Sequence, residues 1–271
     1  MALDCVSSQK DLDMILTADY HTHSPYSHGK NTIFENAEQA KKIGLKAIAI
    51  SDHGFTHLAY GIKRREMDSF MAECREAEEK LGIRVLRGIE GNVGGVCGRG
   101  DLTEKDYENF DVYLCGYHLT TIYQHASDFF VNGLGNILRN SFNLPASKTL
   151  YRRNTVAYIE TIKKNPIDIL THLAFQCPCD TLEVAKCATD HGTYIELNSK
   201  KSHLSDEQLM EIVAKTDARF VIDSDAHSAD RVGDTALVEE QLARVGFPME
   251  RIDNIEGREP TFRFTEFKKR M

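Results

Sequence analysis

No stretch of this 271-residue chain is apolar over the length of a membrane span, and residues 1–13 have neither a basic start nor an apolar run of signal length. A membrane protein and a secreted one are therefore both unexpected, and a cytoplasmic protein is the expectation. Paired Cys-x-x-Cys motifs are also missing, and the seven cysteines are odd in number without disulfide-like spacing. That excludes a zinc ribbon and a disulfide scaffold and leaves reduced, mostly buried thiols, among them Cys177 and Cys179. An excess of positive charge is missing too: 33 Lys and Arg stand interspersed among 41 Asp and Glu, for a net charge of −8. Such a surface argues against binding an anionic membrane or a long nucleic acid, which needs many phosphate contacts. The Gly-rich run 91–100 matches neither the dinucleotide fingerprint nor the P-loop, since no Gly-Lys-Ser/Thr follows, and a flexible hairpin is expected there. No low-complexity linker divides the chain, so one domain over 1–271 is expected, with 1–13 as an N-terminal arm.

What is present is a repeating unit: a short β-rich run, a polar loop, then a helical pattern. A first strand begins near Leu16. Thr32 and Glu35 form a capping box for a helix that stops at Gly44, and the apolar run 45–50 reads as a buried strand. A helix over 63–81 closed by Gly82, strands at 84–89 and 111–117, a helix through Val156, Ile159 and Ile162, and a strand at 167–171 continue the pattern. A helix at 182–191, strand 194–197, a helix opened by the Ser205/Gln208 box, strand 219–222, a helix at 235–245 and an irregular tail complete it. Residues 119–150 break the rhythm, with Phe129-Phe130, Gly133, Gly135 and Pro145, and read as a lid-like insertion. Seven strands alternating with helices imply an α/β fold with a parallel sheet, closed or nearly closed into a barrel.

The unusual feature is where the metal-binding side chains fall. Three histidines, His21, His23 and His28, lie within eight positions at the end of the first strand. Alternation along a strand points His21 and His23 the same way, and His28 follows on the loop past Pro25. His53, Glu90, His118, His172, Asp225 and His227 stand at or just beyond the ends of later strands. In a β/α barrel those ends converge on one face. One such histidine is commonly structural, but six strand ends offering His, Asp or Glu point to a metal centre. Nine candidate ligands exceed one tetrahedral ion, so two to three divalent metals with a bridging carboxylate are expected. An imidazole-rich set suits zinc, with manganese or iron as alternatives in the more oxygen-rich positions. Asp52 and Asp223 flank ligands and are expected to orient them. Phosphate-binding cations by position are Arg231 and the pair Lys200-Lys201, with Arg153 and Arg152 weaker. His57, His125, His191 and His203 lack strand-end placement and read as surface or structural residues.

Asp19-Tyr20-His21-Thr22-His23, Ser51-Asp52-His53-Gly54, Gly88-Ile89-Glu90, Gly116-Tyr117-His118, Thr171-His172 and Ser224-Asp225-Ala226-His227 together resemble the successive metal motifs of the PHP (polymerase and histidinol phosphatase) family. The resemblance covers about 16–267 and is strongest to the stand-alone bacterial phosphoesterases. It implies a distorted (β/α)7 barrel with a trinuclear site at the C-terminal ends of the strands. By carry-over, His21, His23, Glu90 and Asp225 would surround one metal, Glu90, His118 and His172 a second, and His28, His53 and His227 a third. Every ligand position is filled, which favours an active enzyme over members with degraded sites. Two departures bear on substrate: the length of 119–150, and Leu173-Ala174-Phe175 where a His-Pro step is common.

The chemistry this implies is hydrolysis of a small phosphomonoester, histidinol phosphate or nucleotide-like, by a metal-bridging hydroxide with no protein nucleophile. Two alternatives stand beside it. An amidohydrolase-like C–N hydrolase is disfavoured by the surplus of histidines and by the lack of a lysine at a strand end as a bridging-ligand candidate. A metal-binding module without catalysis is the other.

Overall fold

The structure, a computed structural model, describes residues 14–271; the expected N-terminal arm lies outside the described residues. Seven strands form a single parallel sheet in chain order: β1 (Ala18–Thr22), β2 (Ala47–Ile50), β3 (Arg84–Asn92), β4 (Val112–Gly116), β5 (Ile169–Leu170), β6 (Tyr194–Asn198) and β7 (Phe220–Asp223). Apart from the longer β3, whose start is exposed, the strands are short runs buried on both faces, the pattern of a sheet covered by helices. Alternation sorts the two faces. In β2, Ala47 and Ala49 join a small cluster with Ala18, Val112, Leu114 and Val221, which fills the barrel interior. Ile48 and Ile50 join the large cluster shared with helix residues such as Ala37, Ala40 and Phe70.

The covering helices are α1 (Ile33–Lys42), α2 (Met67–Leu81), α3 (Ala126–Asp128), α4 (Leu134–Ser141), α5 (Lys148–Lys164), α6 (Thr181–His191), α7 (Asp206–Lys215), α8 (Ala236–Val245) and α9 (Arg263–Lys268). The expected capping boxes are formed at Thr32/Glu35 and Ser205/Gln208, and Gly82 closes α2 with φ of 65°.

β1 and β7 do not form a full ladder, and the barrel is closed by other means. At the upper end, His23 donates its backbone N–H to Ala226 O at 2.8 Å, and Ala226 donates to His21 O at 3.2 Å. Lower down the buried Asn254 side chain fills the gap: its Oδ1 accepts from Ile222 N at 2.9 Å, and its Nδ2 donates to Ala18 O at 3.0 Å and Ile222 O at 2.6 Å. The result is a nearly closed (β/α)7 barrel.

Three local expectations are corrected. The Gly-rich run is no hairpin: β3 continues to Asn92, and the buried Asp101 pins the following loop by accepting from Asn92 N and from Thr56 N. Residues 119–150 are largely helical rather than a loop, passing from α3 through a π-helical turn, Phe129–Gly133, into α4. They are anchored to α5 by a buried asparagine network, Asn132 and Asn136 each donating to Asn154 Oδ1 at 3.0 Å. The tail ends in α9, whose fully buried Phe264 donates its N–H to Asp168 Oδ1 at 2.7 Å across the lower end of the barrel.

Candidate metal centre

Glu90, in β3, is fully buried and stands at the centre of the upper face. Its Oε1 lies 2.7 Å from His172 Nε2, 3.3 Å from His118 Nε2 and 3.0 Å from Thr171 Oγ1. Its Oε2 lies 2.8 Å from His53 Nδ1 and 3.3 Å from His21 Nε2. One carboxylate thus touches four imidazoles from four strand ends. Asp225 forms the second focus, with Oδ1 3.4 Å from His23 Nε2 and 3.3 Å from His227 Nδ1. His28 joins from the loop after β1, its ring stacked 4.9 Å from that of His53 and edge-on to that of His227 at 4.2 Å. Seven of the nine candidate ligands line one cleft of about 320 Å³, and the fully buried His21 and His23 lie against Glu90 and Asp225 beneath it. The strand geometry is what delivers them, helped by non-glycine residues held at positive φ, His172 at 31° and Asp225 at 50°. Gly116 makes room: a Cβ there would overlap Thr171 Oγ1 and the His172 ring.

An outer layer fixes the rings. Glu196, in the middle of β6, accepts from His21 Nδ1 at 2.6 Å through Oε1 and from the His172 amide at 2.6 Å through Oε2. Asn92 Oδ1 lies 2.8 Å from His118 Nδ1. Each partner takes the Nδ1 proton and turns the Nε2 lone pair toward the centre. His23 is reached through a relay, its Nδ1 3.4 Å from Ser27 Oγ, which in turn donates to Asp52 Oδ1 at 2.5 Å.

The centre carries the mark of a cation site. Glu90 Oε2 and His53 Nδ1 face each other at 2.8 Å without the alignment of a hydrogen bond, and His172 Nδ1 is buried without a partner. His21 Nε2 and His23 Nε2 face each other at 3.2 Å, so with both Nδ1 atoms protonated two lone pairs meet and need a positive charge between them. Burial drives His23 well below the ordinary histidine value and His53 to about 3, keeping both neutral. Burial acts the same way on His21, but Glu90, Glu196 and Asp225 overcome it and raise that ring well above its ordinary value. Burial alone would push the Glu90 carboxyl up, yet His118, His21 and His53 hold it well below the carboxylate range. The site is thus mixed: His23 and His53 are held neutral, whereas His21 and, against its burial and through Glu90, His172 are raised, so a divalent metal bound here would displace protons from those two rings.

Several sequence-based roles change. The expected three-way division of ligands is not distinct: His53 belongs with Glu90 and His118 as closely as with His23 and His227. Arg231 is held by an ion pair with Asp234, three residues on, and Arg153 by Asp128 at 2.7 Å, so neither lines the cleft. Lys200 and Lys201 do line it, and Lys200 Nζ lies 3.2 Å from Asp225 Oδ1. Both therefore stand where their position beyond β6 suggested. Asp52 reaches His23 only through Ser27, and Asp223 orients no ligand ring, accepting instead from the Tyr20 amide at 2.8 Å. His57 and His203 are not peripheral. The His57 ring stacks 4.5 Å from that of His53, with Nδ1 accepting from Tyr60 N and Nε2 3.2 Å from Thr120 Oγ1, and His203 lines the cleft. Glu196 was missed; the signal was an acid inside the apolar run Tyr-Ile-Glu-Leu-Asn. No residue of 119–150 lines the cleft, so that stretch does not cover it in the described conformation.

Comparison with known proteins bears on these residues. A family model described as the PHP domain matches residues 19–200. The chain is 29% identical over 255 residues to a protein of Proteus mirabilis named a probable phosphatase, covering 89% of this chain and 90% of that one. It is 30% identical over 254 residues to a probable phosphatase of Vibrio cholerae, covering 88% and 89%. Among solved structures it is similar to the histidinol phosphate phosphatase of Lactococcus lactis, described as complexed with zinc, L-histidinol and phosphate. The TM-score is 0.57 at 11% identity, covering 86% of this chain and 94% of that one, a likeness of fold.

Proposed function

Given that the chain belongs to the PHP domain family, we propose that it is a metal-dependent phosphatase that hydrolyses a small phosphomonoester, histidinol phosphate or nucleotide-like. One observation carries this reading: the buried Glu90 carboxylate lies 2.7–3.3 Å from the ring nitrogens of four imidazoles, His172, His118, His53 and His21, and among the described residues no lysine or arginine is paired with it. The donor set suits two to three divalent ions, zinc first and manganese or iron as alternatives. His21, His23, His28, His53, Glu90, His118, His172, Asp225 and His227 would hold them, Glu90 between two. Such ions supply neutralisation of the phosphoryl oxygens and acidification of a water.

The chain's own residues account for the rest. Glu196 and Asn92 hold the His21 and His118 Nδ1 protons, so the Nε2 atoms stay free for ligation. Lys200 Nζ, at the edge of the centre, offers a charge-assisted hydrogen bond to a phosphoryl oxygen. No serine, cysteine or aspartate is needed as a nucleophile. The C–N hydrolase reading gains nothing from Lys200, because its ammonium lies against Asp225 and Glu90 would take the bridging place.

His23→Ala and Asp225→Ala should each abolish p-nitrophenyl phosphate hydrolysis while melting and circular dichroism stay close to wild type. Retained turnover in either folded variant would refute the assignment.

A further inference from the structure

The cleft has a second wall that the ligand set does not use, built by the loops after β5 and β6. Phe175 sits between Ala174 and Gln176, both at positive φ (68° and 54°), and donates its N–H to His172 O at 2.9 Å. This tight turn places the Phe175 ring 5.7 Å from that of His172 and 4.6 Å from that of His203. Lys201 Nζ lies 5.2 Å over the Phe175 ring, and Lys200 stands where the wall meets the centre. His203, which also lines the cleft, adds a second flat ring. Among the described residues the carboxylates lining the cleft are Glu90 and Asp225, both committed as candidate ligands. The wall therefore offers two ammonium groups and two flat rings, and no free acid.

We infer that Phe175, His203 and Lys201 form the leaving-group subsite, selecting phosphomonoesters whose leaving group is flat and neutral or anionic and rejecting one that bears an ammonium group. The inference rests on the phosphatase reading and narrows it. With the phosphoryl group at the metal centre beside Lys200, the remainder of a small ester must lie along this wall. A planar leaving group packs on Phe175 and His203, and an anionic substituent reaches Lys201. An ammonium substituent, as in histidinol phosphate, would meet like charge in a partly desolvated cleft without a counter-ion.

Two measurements on metal-saturated protein separate this inference from the reading it rests on. Benzylphosphonate and its 4-carboxy and 4-aminomethyl derivatives resist hydrolysis, so their calorimetric Kd values report selectivity without turnover. The corresponding phenyl phosphates report it through kcat/KM. The carboxy compound should be favoured over the aminomethyl one by about ten-fold in both, an advantage that shrinks as salt is raised. Lys201→Met should bring the ratio close to unity, and Phe175→Ala should weaken all three phosphonates. Equal binding, or preference for the ammonium compound, overturns the inference. Selective phosphonate binding with no ester hydrolysed would uphold the subsite and sink the phosphatase reading. Absence of any phosphonate binding would overturn both.

Discussion

Replacing Glu196 by Gln tests whether the outer layer sets metal affinity. The side chain keeps its shape, but one acceptor oxygen becomes an NH2 donor. In the structure Oε1 accepts from His21 Nδ1 at 2.6 Å, and Oε2 accepts from the His172 amide at 2.6 Å and from Asn198 Nδ2 at 3.0 Å. Whichever way the amide turns, either His21 Nδ1–H or the His172 N–H faces a donor. A lost buried hydrogen bond to a charged group costs about 1.5–3 kcal/mol. Removing the carboxylate also withdraws part of the field that raises the His21 pKa, and leaves the ring free to carry its proton on Nε2, toward the centre. Together these should weaken metal binding about ten- to hundred-fold, the scale at which outer partners of metal-bound histidines act. Zinc affinity by competition with a fluorescent chelator measures it, with thermal melts of the metal-free proteins as the fold control. An affinity within about two-fold of wild type would refute the reasoning, because one lost charge-assisted bond is worth more than that.

Gly116→Ala should displace the buried Thr171 and His172 side chains, costing about 1–3 kcal/mol of stability by overpacking and reducing metal content, read by urea unfolding and elemental analysis. Asn254→Ala removes the bridge between β1 and β7 and leaves the Ile222 N–H without its partner, so urea unfolding should show a loss of about 3 kcal/mol or more. In metal-free protein, burial lowers His53 to about 3 and His57 to about 4, below the unfolded value near 6.5. The unfolded chain then binds more protons, so stability falls as pH drops through 6.5 toward 4, by up to about 1.4 kcal/mol per pH unit for each ring. Raised groups such as His21, His172 and Asp52 act in the opposite sense, so the test is His57→Gln: the metal-free variant should lose less stability between pH 7 and pH 5 than wild type, and an equal loss would contradict this. Burial raises the thiols of Cys74, Cys115, Cys177, Cys179 and Cys187, leaving Cys97 as the half-exposed one among the described cysteines. Native alkylation followed by peptide mapping should find Cys97 modified ahead of those five.

The barrel was legible because most strands are short, largely apolar runs, six of them ending at or just before a His, Asp or Glu, a signal that needs no knowledge of distant contacts. The convergence of His21 through His227 followed from the same rule of strand ends. Glu196 escaped that rule because it lies inside its strand, where alternation turns it into the barrel. The path of a loop decides the rest: His203 lies beyond β6 on a segment whose return over the cleft has no local signature. The cations show the same limit, since Arg231 is taken by a neighbour three residues away and Arg153 by Asp128, a pairing that depends on the packing of α3 against α5. In 119–150 the helices present Phe129, Phe130, Leu138 and Phe142 outward, and the π-helical turn shifts the period, so helical spacing was unreadable. The six-residue α9 is too short for periodicity to reveal.

The central claim, that the imidazole and carboxylate cluster is a metal centre that hydrolyses phosphomonoesters, is tested most directly by metal content per chain. Elemental analysis of protein purified without added metal should be paired with p-nitrophenyl phosphate hydrolysis before chelation, after it, and after metal is restored. The account predicts two to three equivalents of divalent metal, with turnover lost on chelation and recovered on reconstitution. Little metal after reconstitution, or turnover indifferent to its removal, would contradict it.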